Sequence, residues 1–196
     1  MRVLVACEYS GRVRDAFIRN GHDAISCDLL ASDRPGPHYQ GDVRDILDDG
    51  FDLMVAHPPC TDLAVSGNAH RAAKLADGRV QAGLEFVHLL MDAPIPRICI
   101  ENPVSVISSM IRKPDQCIQP WQFGHGETKK TCLWLTGLPD LMPTDIVAGR
   151  LQTVANMPQS ANRWKLRSLT YQGIADAMGD QWGTLGAPVF QTLALF

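Results

Sequence analysis

The opening stretch RVLVACEYSGRVRDAFIRNGHDAISCD (residues 2–28) decides the fold class. Its apolar runs at residues 2–7 and 24–28 are short, and both read as strands. Between them, GRVRDAFIRNG sets Val13, Ala16 and Phe17 at helical spacing, and Gly21 supplies a C-terminal stop. Strand, helix and strand in this order make a βαβ unit, whose two strands run parallel.

The pattern continues outward. Further strands are expected at residues 52–56, 97–101 and 131–135. A helix is expected over 78–92, where Val80, Leu84, Val87, Leu90 and Met91 form one stripe. Such alternation predicts an α/β fold, a mostly parallel sheet with helices on both faces. Residues 30–40, with Pro35, Gly36 and Pro37, read as a surface loop. The stretch of about 138–165 reads as loop-rich, because Pro139, Pro143, Asn156, Pro158 and Asn162 interrupt any periodicity. LTYQGIADAMGDQWG (169–183) resembles a closing helix with Ile174, Ala177 and Met178 on one face.

At 196 residues, 45% hydrophobic and 20% charged, the chain fits one domain, 1–196, with little room for a second. A net charge of -3 excludes a broadly basic protein, so phosphate contacts must come from a local patch. The six cysteines contain no C-x-x-C pair, and no metal site is expected. Cys7 in VLVAC and Cys99 in ICI read as small buried hydrophobes. The chain opens into VLVAC without a signal-peptide pattern, and no apolar run approaches the ~18 residues of a membrane span. The expectation is a soluble protein of a reducing cytoplasm, bacterial or that of a phage-infected cell, with no membrane partner.

Several constellations can carry chemistry. Glu8-Tyr9-Ser10-Gly11 follows the first strand and leads into a helix whose first amides are expected to be free for a ligand. A lone glycine at a tight βα turn also has an ordinary structural explanation. Asp28, with Leu29 beside it, ends the second strand, 17 residues beyond Gly11. In nucleotide-binding α/β folds an acid about 20 residues past the glycine turn holds ribose hydroxyls, while capping of the next turn explains it equally well. Asp42, in GDVRDI, either approaches an adenine or caps a helix near 43–47.

DLMVAHPPCTDLAVSG (52–67) is sharper. A buried strand ends in His57, and Pro58-Pro59 force a stiff exit that presents Cys60 beyond the carboxyl end of the sheet, where open α/β sheets bind ligands. A cysteine there needs only a neighbouring base, cation or helix N-terminus to become a thiolate. RICIENP (97–103) ends another apolar strand in Glu101-Asn102-Pro103. Parallel strands ending at one edge bring Glu101 toward Cys60, and an acid at such a strand end is a candidate for a raised pKa and for proton donation. The alternative is that Glu101 only caps the next turn.

The order of EYSG, Asp28, GDVRDI, PPC and EN-P resembles the DNA (cytosine-5)-methyltransferases, over most of residues 1–138 and more loosely over 166–185. The resemblance implies a Rossmann-like S-adenosylmethionine-dependent methyltransferase fold, S-adenosylmethionine as cofactor and cytosine-containing DNA as partner. By resemblance Cys60 is the nucleophile, and Glu101 is the acid at ring nitrogen 3 of cytosine. The same resemblance assigns cofactor contacts to Glu8, Tyr9, Ser10, Gly11, Asp28, Leu29, Asp42 and Pro58, and substrate contacts to Pro59, Thr61 and Asn102. GETKKTCLWLTGLP (126–139) is similar to a family strand with basic residues close to the base. Lys129 and Lys130 therefore become candidates for substrate or phosphate contacts, against the alternative of solvated surface lysines.

The chain also departs from the family. Only Gly11 remains of the glycine-rich turn, Glu8 stands at an early glycine position, Thr61 replaces a glutamine and Pro103 a valine. The target-recognition region is reduced to about 138–165, as in compact phage and prophage forms. Two other readings follow: an enzyme of this fold that modifies free pyrimidine nucleotides, and a non-catalytic binding or decoy protein. An amino-group methyltransferase fits less well, since those enzymes carry an aromatic residue where Cys60 follows the two prolines.

Overall fold

In the computed structural model, which describes residues 1–65 and 71–186, strands β1 (Arg2–Ala6) and β4 (Leu53–Ala56) lie side by side. Val3 to Ala6 and Leu53 to Ala56 are all fully buried, so both strands are covered on both faces, as their unbroken apolar runs require. Parallel pairing then extends outward through β2 (Asp23–Asp28) to β3 (His38–Gln40), and through β5 (Ile98–Pro103) on the other side. Strand β7 (Thr131–Thr136) runs antiparallel to β5 and to β6 (Gln116–Ile118), completing a seven-stranded sheet in the order β3-β2-β1-β4-β5-β7-β6.

The period-two alternation of the strands sorts the core into two layers. Val3, Val5, Leu53 and Val55 face helices α1 (Arg12–Arg19) and α6 (Gln172–Gly183), where Phe17, Met178 and Trp182 are buried. Leu4, Ala6, Met54 and Ala56 face α3 (Arg79–Met91) through Leu84, Val87 and Leu90. Side chains of this size each contribute about 1.5–3 kcal/mol when fully buried. Helices α1 and α6 touch at Gly179, where a Cβ would come within 2.8 Å of the Ala16 backbone. Three short helices complete the chain: α2 (Arg71–Ala76), α4 (Ile107–Met110) and α5 (Arg163–Ser168).

Four expectations change. The first strand stops at Ala6, because Cys7 adopts a left-handed conformation (φ 58°) and turns the chain out of the sheet; it is half-buried rather than core. The loop expected at 30–40 ends in β3, and β6 was not expected at all. Each has only three residues and is held by pairing with a neighbouring strand, which local periodicity does not encode. The loop-rich region likewise ends early, in α5. Ser66 and Gly67, which close the proline-cysteine stretch, lie outside the described residues.

Candidate functional site

From β1 the chain turns to β2 on one side of the sheet, whereas β4 leads to β5 on the other. Loops leaving the carboxyl ends of β1 and β4 therefore diverge and open a crevice at this switch point. Residues 7–11, 28–29, 41–42, 57–61 and 101–102 all follow or end the strands on that edge.

On one side lies a cavity of about 270 Å³ lined by Cys7, Asp28, Leu29, Asp42, Pro59 and Phe86, among others. Its walls are mainly apolar, and two carboxylates reach it. Asp28 accepts the Leu30 amide at 2.9 Å, and burial pushes its carboxyl above the ordinary value despite that bond. Asp42 accepts the Arg44 amide at 3.0 Å and caps the turn Val43–Asp45, as one of its two alternatives had it, and it also lines the cavity. Arg44 lies 5.1 Å above the Phe86 ring and fixes that wall. An apolar slot with carboxylates at its rim suits a flat ring joined to a hydroxyl-bearing or cationic group. Cys7 is no rival nucleophile, because burial first, and then the charge of Asp28, push its thiol up to about 12.

The expected free amides at the start of α1 are not free. The buried Glu8 carboxylate accepts the Val13 amide at 2.9 Å, the Arg14 amide at 3.3 Å and the Ser10 hydroxyl at 2.9 Å. A carboxylate of the chain itself thus occupies the position that an anionic ligand would take. Tyr9 is also committed, donating its hydroxyl to the Lys165 carbonyl at 2.6 Å. Gly11 has φ 68°, and a Cβ there would meet the Arg14 guanidinium at 2.5 Å, so a glycine is required by the chain alone.

On the other side, the register Ala56↔Ile100 sets the next residues of β4 and β5 beside each other. His57 Nδ1 lies 3.0 Å from Glu101 Oε2, with only 10% and 16% of the two side chains exposed. Burial resists charging either group, but the hydrogen bond and mutual attraction win: His57 is held above its ordinary pKa and Glu101 below it. Lys129 and the Thr131 hydroxyl add to the lowering of Glu101. The raised pKa expected for Glu101 is thereby reversed, because a strand-end acid beside a cation stays ionised.

Cys60 shares this environment. Burial and the Glu101 charge raise its thiol above the usual value, while Lys129, its own amide and Arg167 pull it down. Lys129 is drawn inward, donating to the Arg167 carbonyl at 2.9 Å and the Leu169 carbonyl at 3.2 Å, and desolvation lowers its pKa. Lys130, adjacent on extended chain, is exposed and acts on Cys132 instead; the two lysines do not share a site.

Other assignments shift as well. Asn102, expected at the substrate, is 1% exposed and donates to the Pro58 carbonyl at 2.9 Å, so it clamps the proline-cysteine loop from behind. Pro58 is buried by this contact, and Pro59 lines the cavity in its place. Thr61 is exposed beside Cys60, its carbonyl accepting Lys74 Nζ at 2.5 Å. His57, Thr131, Arg167 and Phe86 were not singled out from the sequence. His57 had a signal: like Glu101, it is a polar residue ending an apolar strand. Among the described residues no group of three or more His, Cys, Asp or Glu is placed to hold a metal ion, and no helix is long and apolar enough to cross a membrane.

No protein-family model and no curated protein matches the chain. Solved structures do. One, described as a DNA modification methyltransferase encoded within an E. coli prophage, is 13% identical with a TM-score of 0.50, covering 82% of this chain and 56% of that one. Another, the Entamoeba histolytica methyltransferase EhMeth, is 15% identical with a TM-score of 0.50, covering 75% of this chain and 57% of that one. The chain thus spans little more than half the length of these structures. What it shares with them is the α/β, Rossmann-like methyltransferase fold, with its mostly parallel sheet.

Proposed function

We propose that this chain transfers a methyl group from S-adenosylmethionine to carbon 5 of cytosine in DNA, through a transient thioether between Cys60 and carbon 6. One observation carries the reading: Cys60 and Glu101 follow or end neighbouring parallel strands at the same edge, with Cys60 within range of the Glu101 charge, beside a cavity rimmed by carboxylates. In this reading residues 1–196 act as one domain.

The cofactor supplies an electrophilic methyl group on a sulfonium centre. Asp28 would accept hydrogen bonds from its ribose hydroxyls, and Leu29, Asp42, Pro59 and Phe86, which line the cavity, would enclose its adenine. The turn Glu8–Gly11 frames the site by capping α1 and supplies no free amide to the ligand. Pro58-Pro59, pinned by Asn102, hold Cys60 at the opening.

Carbon 5 of cytosine is a poor nucleophile. Addition of the Cys60 thiolate to carbon 6 pushes an electron pair toward carbon 5 and nitrogen 3, and Glu101, a carboxylate at rest, stabilises that charge by taking up a proton and passing it to nitrogen 3. After carbon 5 has taken the methyl group, its proton passes to solvent water, the freed electron pair restores the ring double bond between carbons 5 and 6, and the thiolate leaves. A cytosine in duplex DNA must be flipped out of the stack to reach Cys60.

Duplex DNA carrying 5-fluorocytosine tests this directly. Fluorine cannot leave as a proton, so elimination stalls, and with S-adenosylmethionine present a protein–DNA adduct should survive denaturation. Cys60→Ser should abolish both the adduct and methyl transfer, since a hydroxyl without a dedicated base is a far weaker nucleophile. Undiminished methyl transfer by Cys60→Ser would overturn the assignment. The absence of any regular helix or strand in residues 138–162 favours a second reading, action on a free pyrimidine nucleotide, because few side chains remain to read bases. Trapping by a fluorinated nucleotide but not by DNA would select it.

A further inference from the structure

We infer that His57 is the positioning residue and proton reserve of Glu101: it orients the carboxylate through Nδ1 and supplies the proton that Glu101 hands to the base. The inference rests on the roles proposed above for Cys60 and Glu101.

His57 and Glu101 leave adjacent parallel strands in register, so sheet hydrogen bonding fixes their separation, and the 3.0 Å contact depends on no flexible loop. The pair is nearly enclosed, and a buried ion pair is weak as a device for stability alone. His57 Nε2 is also buried and meets no hydrogen-bond partner among the described residues, a cost that apolar packing at the end of β4 would not incur. Three charged groups act on the imidazole: Glu101 from β5, Glu8 from the turn after β1, and Lys129 ahead of β7. Burial opposes a charged imidazole, but the Glu101 hydrogen bond and two carboxylates against one ammonium outweigh it and favour the protonated form.

The proton balance is closed. As the Cys60 thiolate adds to carbon 6, the displaced electron pair makes nitrogen 3 basic. The Nδ1 proton of His57 crosses to Glu101, which as a carboxylic acid donates it to nitrogen 3; His57 is left neutral and Glu101 again a carboxylate. When the thiolate leaves, the proton returns along the same path. While Glu101 is neutral, its repulsion of the Cys60 thiolate is lifted, so one proton shift serves both ends of the reaction.

His57→Asn separates this role from a structural one, because an amide N–H can still reach Glu101 but carries no titratable proton. The rate of trapping by 5-fluorocytosine DNA should be bell-shaped with pH in the wild type, requiring a Cys60 thiolate and a protonated His57 together. In His57→Asn the rate should fall tenfold or more at its best pH, DNA affinity should be unchanged, and the alkaline fall should vanish, leaving a single rising limb. A slower His57→Asn that keeps the bell would make His57 a packing residue and overturn the inference. An activity-independent readout is the NMR titration of the His57 imidazole, identified by its loss in His57→Asn. Its pKa should lie above 6.5 and drop in Glu101→Gln, and identical titration in both proteins would also overturn the inference. Coupled titration without trapping of the wild type at any pH would instead refute the Cys60 chemistry, and the relay with it.

Discussion

Asp28 illustrates how one side chain acquires a role from its surroundings. It is half-buried at the end of β2, one oxygen already accepting the Leu30 amide, and with Asp42 it lines a mainly apolar cavity. Hydrogen bonds to a charged group are worth about 1.5–3 kcal/mol, so Asp28→Ala should weaken S-adenosylmethionine binding roughly tenfold or more. Calorimetry that returned equal affinities for the two proteins would remove Asp28 from the site. Glu101 shows the opposite lesson. Its place at the end of an apolar strand is plain in the sequence, but the direction of its pKa shift is not. Burial alone would raise it, and the imidazole at the end of β4, the Lys129 ammonium and the Thr131 hydroxyl reverse the sign.

At the scale of elements, α1 depends on a cap that lies outside the usual short list of residues. The Glu8 carboxylate takes up two amides of the first turn and orders Ser10, while Gly11 supplies the left-handed turn between them. Losing such a cap costs about 0.5–2 kcal/mol, and in a domain of this size about 1 kcal/mol moves the melting temperature by about 2–4 °C. Glu8→Ala should therefore melt several degrees lower, and Glu8→Gln, whose amide oxygen still accepts, should recover part of the loss. Equal melting of Glu8→Ala and wild type would show that the carboxylate contributes nothing as a cap. The same element explains how the chain dispenses with a glycine-rich turn: the space that glycines leave open is filled here by its own acid.

For the molecule as a whole, the net charge of -3 sets a limit on how firmly the DNA proposed as its substrate can be held. The basic side chains just ahead of β7 and on α5 are Lys129, Lys130, Arg163, Lys165 and Arg167, and of these Lys129 and Arg167 act on Cys60. Lys129 donates to two carbonyls, and Lys165 is paired with Asp33 at 2.7 Å. Each phosphate neutralised contributes about -0.9 to the slope of log affinity against log salt, so even five contacts give a slope no steeper than about -4.5. Anisotropy of labelled duplex DNA across a salt series measures it, and a markedly steeper slope would place the DNA on a different surface.

The sequence by itself determined the alternation of strands and helices, the two-sided burial of β1 and β4, and the meeting of Cys60 and Glu101 at one edge. These follow from local periodicity and from the rule that βαβ units run parallel, which act over a few residues at a time. Tertiary structure alone decided how the site is wired. The Glu8 carboxylate filled the helix start, Asn102 turned inward to pin Pro58, and Lys129 and Lys130 parted to opposite sides. Strands β3 and β6, three residues each, exist only because a neighbour offers its edge. The His57–Glu101 contact joins residues 44 positions apart, and it arises because the register of β4 on β5 sets side chains side by side that the sequence keeps far apart.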